Sequence, residues 1–237
     1  MKEQIKIHTI AFEGEHRSGK GTQIELLKEN LDRLNIPYIM VRGAGSRPNK
    51  NEHKGDKYSE WWEEHLKVLR SSGVSKNDWS NGSKRLAREL IVFRDRFLPK
   101  LALEKNSARA ILLIDRSILS HLIMFDLNKI SDQDVKNIYG DRDSKNRKMP
   151  PIDAIIPDII FYLKTNTDTL LSRLELEKTD PKYEFRKKNI IENEGVFDHA
   201  INILPKYIKD AVVTIDGSKT PKQISEEIFA LVNKKIT

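Results

Sequence analysis

Short apolar or β-branched runs bounded by polar residues recur along the chain at Ile7–Phe12, Tyr38–Val41, Ala110–Ile114, Ile159–Leu163 and Val212–Ile215. Runs of this length and composition predict buried parallel strands. Between them, apolar positions recur at helical spacing over Thr22–Leu34, Lys84–Glu104, Asp168–Glu177, Ile190–Ile208 and Pro221–Lys234. The last pattern opens on a proline, which suits the first turn of a helix. Strands alternating with helices predict an α/β fold, a five-stranded parallel sheet covered by helices on both faces. Crossovers in such a sheet are right-handed, and its ligand site lies at the carboxyl ends of the strands.

The least regular stretch is Gly43–Gly82, rich in Asn, Lys, Ser and Gly and carrying Trp61, Trp62 and Trp79. It is expected to be a long insertion, either a surface loop anchored by its aromatics or a flap over a substrate. With 237 residues and 38% hydrophobic content, one domain over residues 1–237 is expected. The absence of cysteine excludes a disulfide framework, a thiolate zinc site and a cysteine nucleophile. No apolar run is long enough to span a membrane, so no membrane association and a cytoplasmic location are expected. The formal charge of +7 is spread among acidic residues along helical stretches, which predicts a solvated surface and a polyanionic small molecule rather than nucleic acid.

The chemistry concentrates in Gly14-Glu15-His16-Arg17-Ser18-Gly19-Lys20-Gly21-Thr22, a complete G-x-x-x-x-G-K match between the first strand and first helix. Glycines in such a loop let successive N–H groups face phosphates, the helix N-terminus adds its dipole, and Lys20 reaches the outer phosphates. Gly21 stands where many such loops carry Ser or Thr, and the hydroxyl comes one position later at Thr22. Arg17 places a cation inside the loop, suited to charge on a transferring phosphoryl group. Asp115 and Arg116 end the third strand and should face the same cleft. An aspartate there holds magnesium or its waters, and an arginine clamps an acceptor phosphate through two hydrogen bonds. His53, His65, His121 and His199 show no metal-ligand spacing.

The run Phe12-Glu13-Gly14 through Thr22-Gln23, followed by Ile24-Glu25-Leu26-Leu27, resembles the opening of thymidylate kinases. Three further stretches resemble the family in the same order. They are Phe93-Arg94-Asp95-Arg96-Phe97 with Pro99 and Leu101, Ile114-Asp115-Arg116-Ser117 with Ser120, and Pro157-Asp158 leading to Asp168, Leu171 and Arg173. The resemblance covers most of the chain outside Gly43–Gly82. It implies a P-loop kinase fold with a lid, ATP and Mg2+ as cofactors, and γ-phosphoryl transfer to dTMP or a related deoxynucleotide. It also implies a homodimer. In this reading Lys20, Arg17 and Arg116 are catalytic, and Arg42, Arg96 and Arg116 hold the acceptor, with Glu13 and His16 beside it. Asp115 and Thr22 stand on the magnesium side. The charged stretch Glu177–Glu194 is the expected lid, with Arg186 as its working residue. The chain departs from the family at His16, where thymidylate kinases carry an aspartate that touches the acceptor sugar. It departs again at Arg42-Gly43-Ala44-Gly45-Ser46-Arg47, where the family shows Arg-Glu-Pro-Gly-Gly-Thr. Two alternatives stay open: a deoxynucleoside kinase using Glu13 as base, and a non-catalytic nucleotide-binding protein.

Overall fold

The computed structural model describes residues 5–42, 90–117, 119–120, 123 and 156–236, without the side chain of Arg42. The Gly43–Gly82 insertion with its three tryptophans, the start of the Lys84–Glu104 pattern, and His53, His65 and His121 lie outside the described residues. All five expected strands form: β1 (Lys6–Glu13), β2 (Tyr38–Arg42), β3 (Arg109–Asp115), β4 (Ile159–Lys164) and β5 (Val212–Asp216). They pair in parallel in the order β2-β3-β1-β4-β5.

Alternation along the strands sorts the core into two faces, because successive strand side chains point to opposite sides. Ile10, Phe12, Ile111, Leu113, Phe161 and Leu163 pack with Ile24, Leu27 and Leu31 of α1 (Lys20–Arg33) on one face. Ala11, Leu112, Ile114, Ile160 and Tyr162 pack on the other with Phe97, Leu98 and Ala102. Leu98 and Ala102 belong to α2 (Leu98–Glu104), which follows a π-helical turn at Phe93–Phe97. Helix α1 follows β1, yet lies across the sheet from the elements flanking β3. The carboxyl ends of the adjacent strands β1 and β3 are therefore the point at which sheets of this class bind ligands.

Beyond β4 the chain forms α3 (Thr167–Leu174), a single 3-10 turn at Glu175–Glu177, and α4 (Tyr183–Glu192). The Asn166 side chain accepts from the Thr169 N–H at 2.8 Å and starts α3. Leu170, Leu174, Tyr183 and Ile190 form a small cluster of their own, joining α3 to α4 outside the main core.

The single helix expected over Ile190–Ile208 is three pieces instead. Helix α4 ends at Glu192, α5 spans Val196–Ile203 and α6 spans Lys206–Lys209. Gly195, at φ +74°, breaks the first junction, and Pro205 breaks the second. The final helix, α7 (Pro221–Ile236), opens on a reciprocal cap. The Gln223 N–H donates to Thr220 Oγ1 at 3.3 Å, and the Thr220 N–H donates to Gln223 Oε1 at 3.1 Å. Among the described residues no helix is long and apolar enough to cross a membrane.

Candidate functional site

The loop between β1 and α1 is shaped by backbone that only glycine tolerates at two points. Gly14 has φ +140°, and a Cβ there would meet the Leu163 carbonyl oxygen at 2.8 Å. Gly19 has φ +97° and leads directly into α1. Between them, Arg17 adopts φ +67°, and the Ser18 N–H closes a tight turn onto the Glu15 carbonyl at 3.2 Å.

Lys20 is folded back onto this loop. Its Nζ donates to the carbonyls of Gly14 at 2.8 Å and Glu15 at 2.7 Å, and lies 3.4 Å from Ser18 Oγ. Burial, with the Arg116 guanidinium alongside, pushes its ammonium down to about 7. Burial pushes the Glu15 carboxyl up to about 7 against the pull of Lys20 and Arg116. Gly21 and Thr22 are exposed on the first turn of α1.

Asp115 and Arg116 arrive beside this loop through strand register. Asp115 is paired with Phe12 of β1 on one side and Arg42 of β2 on the other. The Arg116 N–H donates to the Phe12 carbonyl at 3.0 Å, and Arg116 itself turns out of the strand at φ +69°. Its Nη1 lies 3.4 Å from Ser120 Oγ. Asp115 Oδ1 is buried with no hydrogen-bond partner. Such an orphaned acceptor beside a phosphate loop is suited to a cation or an ordered water.

Glu13 does not stand open to a substrate. It is fully buried. Its Oε1 accepts from the Ser117 N–H at 2.5 Å, Ser117 Oγ at 2.9 Å and the Ser120 N–H at 3.3 Å, and its Oε2 accepts from Ser120 Oγ at 2.5 Å. Both oxygens are committed to the segment that follows Arg116, so Glu13 positions that segment.

The candidate lid touches the loop through charge. Glu177 is ion-paired with Arg17, and its Oε2 accepts from Arg186 Nη1 at 2.8 Å. Arg186 Nη1 also donates to Asp180 Oδ2 at 2.8 Å. His16 Nε2 lies 3.5 Å from the Glu177 carboxylate without a hydrogen bond. Burial, then the Arg186 and Arg17 charges, push the His16 imidazole down to about 4, so it is neutral near pH 7.

Arg96 is exposed on the π-helical turn, its guanidinium 5.9 Å from the Phe97 ring centroid. Arg42 is described by its backbone alone, as the last residue of β2.

Two residues in this region escaped functional reading in the sequence. One is Glu177, seen there only as the edge of a charged stretch. The other is Arg173, whose Nη1 donates to the Arg17 carbonyl at 3.2 Å and whose Nη2 donates to the Gly217 carbonyl at 2.8 Å. It thereby ties the phosphate loop to the turn after β5. Helical spacing put Arg173 on α3 but carried no sign of which distant carbonyls it meets.

No protein-family profile matches the chain. Curated relatives do. The chain is 25% identical over 231 residues to the thymidylate kinase of Fervidobacterium nodosum, covering 94% of this chain and 98% of that one. It is 23% identical to the thymidylate kinase of Mesoplasma florum, covering 96% and 95% of the two chains. A shorter match, 49% identical over 39 residues, links 16% of the chain to 18% of the thymidylate kinase of Symbiobacterium thermophilum. The chain is therefore similar to thymidylate kinases along nearly its whole length, and it carries that likeness on a five-stranded parallel sheet with a glycine-rich loop after its first strand.

Proposed function

We propose that this protein transfers the γ-phosphoryl group of ATP to a nucleoside monophosphate, with dTMP or a related deoxynucleotide as the acceptor. The reading takes residues 1–237 as one domain, with residues 177–194 as its lid. The observation that carries it is the meeting of the Lys20 loop and the Asp115–Arg116 pair at the carboxyl ends of two adjacent parallel strands. Likeness to thymidylate kinases over nearly the whole chain supports it.

An acceptor phosphate already carries an anionic oxygen, so the reaction needs alignment and charge neutralisation rather than a base. Lys20 exchanges its loop carbonyls for the outer phosphates of the donor. Arg17 neutralises the group in flight, and Arg186 joins it from the lid. Arg116 holds the acceptor phosphate, with Arg42 and Arg96 as further acceptor-side cations. Closure of the lid excludes water, which otherwise competes for the phosphoryl group.

Asp115 is the residue that would hold magnesium or one of its waters, as its unpartnered buried oxygen fits that role. Among the described residues no group of three or more His, Asp or Glu side chains forms a metal site. One carboxylate is enough where substrate phosphates and water complete the shell. When bound, the ion supplies neutralisation of the phosphate oxygens.

The deoxynucleoside kinase alternative needs a proton acceptor for a neutral hydroxyl. Its candidate, Glu13, is fully buried and engaged at both oxygens.

The test is ADP release from magnesium ATP against nucleosides, nucleoside monophosphates and other small phosphates. Turnover on dTMP or another monophosphate is expected. Lys20→Ala should abolish it while circular dichroism stays that of the folded protein. Turnover on nucleosides alone, or ordinary activity in Lys20→Ala, refutes the proposal.

A further inference from the structure

The cations around the phosphate loop have partners within the chain itself, and one carboxylate serves two of them. Glu177 closes the 3-10 turn after α3, on the lid side of the site. Its Oε1 meets Arg17 Nη2 from the phosphate loop, and its Oε2 meets Arg186 Nη1 from α4 at 2.8 Å. The three side chains are 26%, 32% and 23% exposed respectively, so the group is substantially withdrawn from water. His16 adds no charge to it near pH 7. Lys20 is meanwhile held by the Gly14 and Glu15 carbonyls.

Two guanidiniums this close to one point repel each other unless an anion lies between them. Both of their forks are shaped for an anion with several in-plane or terminal oxygens, a description that fits phosphate as well as carboxylate. A polyphosphate brings more charge and more acceptor oxygens than a single carboxylate can.

We propose that Glu177 is an internal surrogate for ligand phosphate: it holds Arg17 and Arg186 together, and an incoming triphosphate displaces it. The surrogate keeps the two arginines near their working positions and at the same time lowers triphosphate affinity, since the ligand competes with a tethered carboxylate. The proposal rests on the reading that this loop takes a nucleoside triphosphate. It does not depend on which acceptor is phosphorylated.

The experiment is isothermal titration of the full-length chain with inorganic tripolyphosphate, which needs the loop and arginines but no acceptor and no turnover. Glu177→Gln keeps the shape and removes the charge, and is expected to tighten binding about three- to tenfold at low salt, with the gain shrinking at 0.5 M salt. Glu184→Gln removes the same charge from an exposed position on α4 and should change affinity less than twofold. Glu177→Asp keeps the charge but is too short to bridge both guanidiniums, so it too should tighten binding. It provides the second route should the glutamine variant fail to fold. Unchanged or weaker binding in Glu177→Gln and Glu177→Asp, beside a wild type that binds, overturns the surrogate alone. Failure of the wild type and all variants to bind tripolyphosphate overturns the triphosphate-site reading, and the surrogate with it.

Discussion

The Lys20 ammonium lies enclosed by its own loop, and the Glu15 carboxyl is half-buried beside it; both are held near 7. Near pH 8 the unliganded site therefore has Lys20 largely neutral and Glu15 largely ionised. A bound triphosphate adds negative charge next to both groups, which raises both pKa values, because an anion favours the protonated form of each. Binding should then take up a proton, on the order of half to one per site near pH 8. Titration calorimetry in buffers of different ionisation enthalpy reads this directly. Zero uptake, or release, contradicts the arrangement. By the same linkage, affinity should fall as pH rises above 7. The residues behind this prediction were legible in the sequence because the loop is contiguous and its spacing is a backbone requirement. Glu13 was legible as a residue but not as a role: its partners, Ser117 and Ser120, lie 104 and 107 positions away. No local pattern encodes which distant hydroxyl a buried carboxylate meets, and the same holds for Glu177 and Arg17.

At the scale of elements, the strands were readable nearly to the residue, since a buried parallel strand is a short apolar run with sharp polar ends. Ile7–Phe12 became Lys6–Glu13, and Ala110–Ile114 became Arg109–Asp115. The long helix expected over Ile190–Ile208 does not form because Gly195 and Pro205 divide a stretch whose apolar spacing is otherwise helical. The π-helical turn at Phe93–Phe97 left no trace in a pattern that a regular helix also satisfies. Two glycines show how backbone angle decides the outcome of one chemical change. Gly21 lies in the first turn of α1 with open space around it, and its φ is ordinary, so Gly21→Ala should stabilise the protein by about 0.5 to 1 kcal/mol. Gly195 also has open space around it but sits at φ +74°. Gly195→Ala should therefore cost about 1 to 2 kcal/mol from left-handed backbone strain alone. Urea unfolding of the two variants checks the pair. A shift of the same sign in both would mean that something other than φ governs these positions.

For the molecule as a whole, alternation of strands and helices was enough to predict a parallel sheet covered on both faces. It did not determine the order β2-β3-β1-β4-β5, because several strand orders satisfy the same alternation. That order is what brings Asp115 against Phe12 and so assembles the candidate site. It also divides the core in two. Leu27 is buried on the α1 and α7 face, and Leu98 is buried on the opposite face. Each is almost wholly enclosed, at 1% and 0% exposure, so Leu27→Ala and Leu98→Ala should each cost about 2 to 5 kcal/mol. With the sheet between them the two sites share no cavity, and the double variant should be additive within about 0.5 kcal/mol. Strands β1, β3 and β4 contribute side chains to both faces, so neither face can unfold while the other keeps its sheet. Urea unfolding followed by far-UV circular dichroism should accordingly give one transition in all three variants, with a lowered midpoint and an unchanged slope. A second transition in either single variant would mean that one helical layer detaches while the sheet survives. In that case the layer lost with Leu98 would be the informative one, because it takes with it the packing behind Ile114, the residue that leads directly into Asp115 and Arg116.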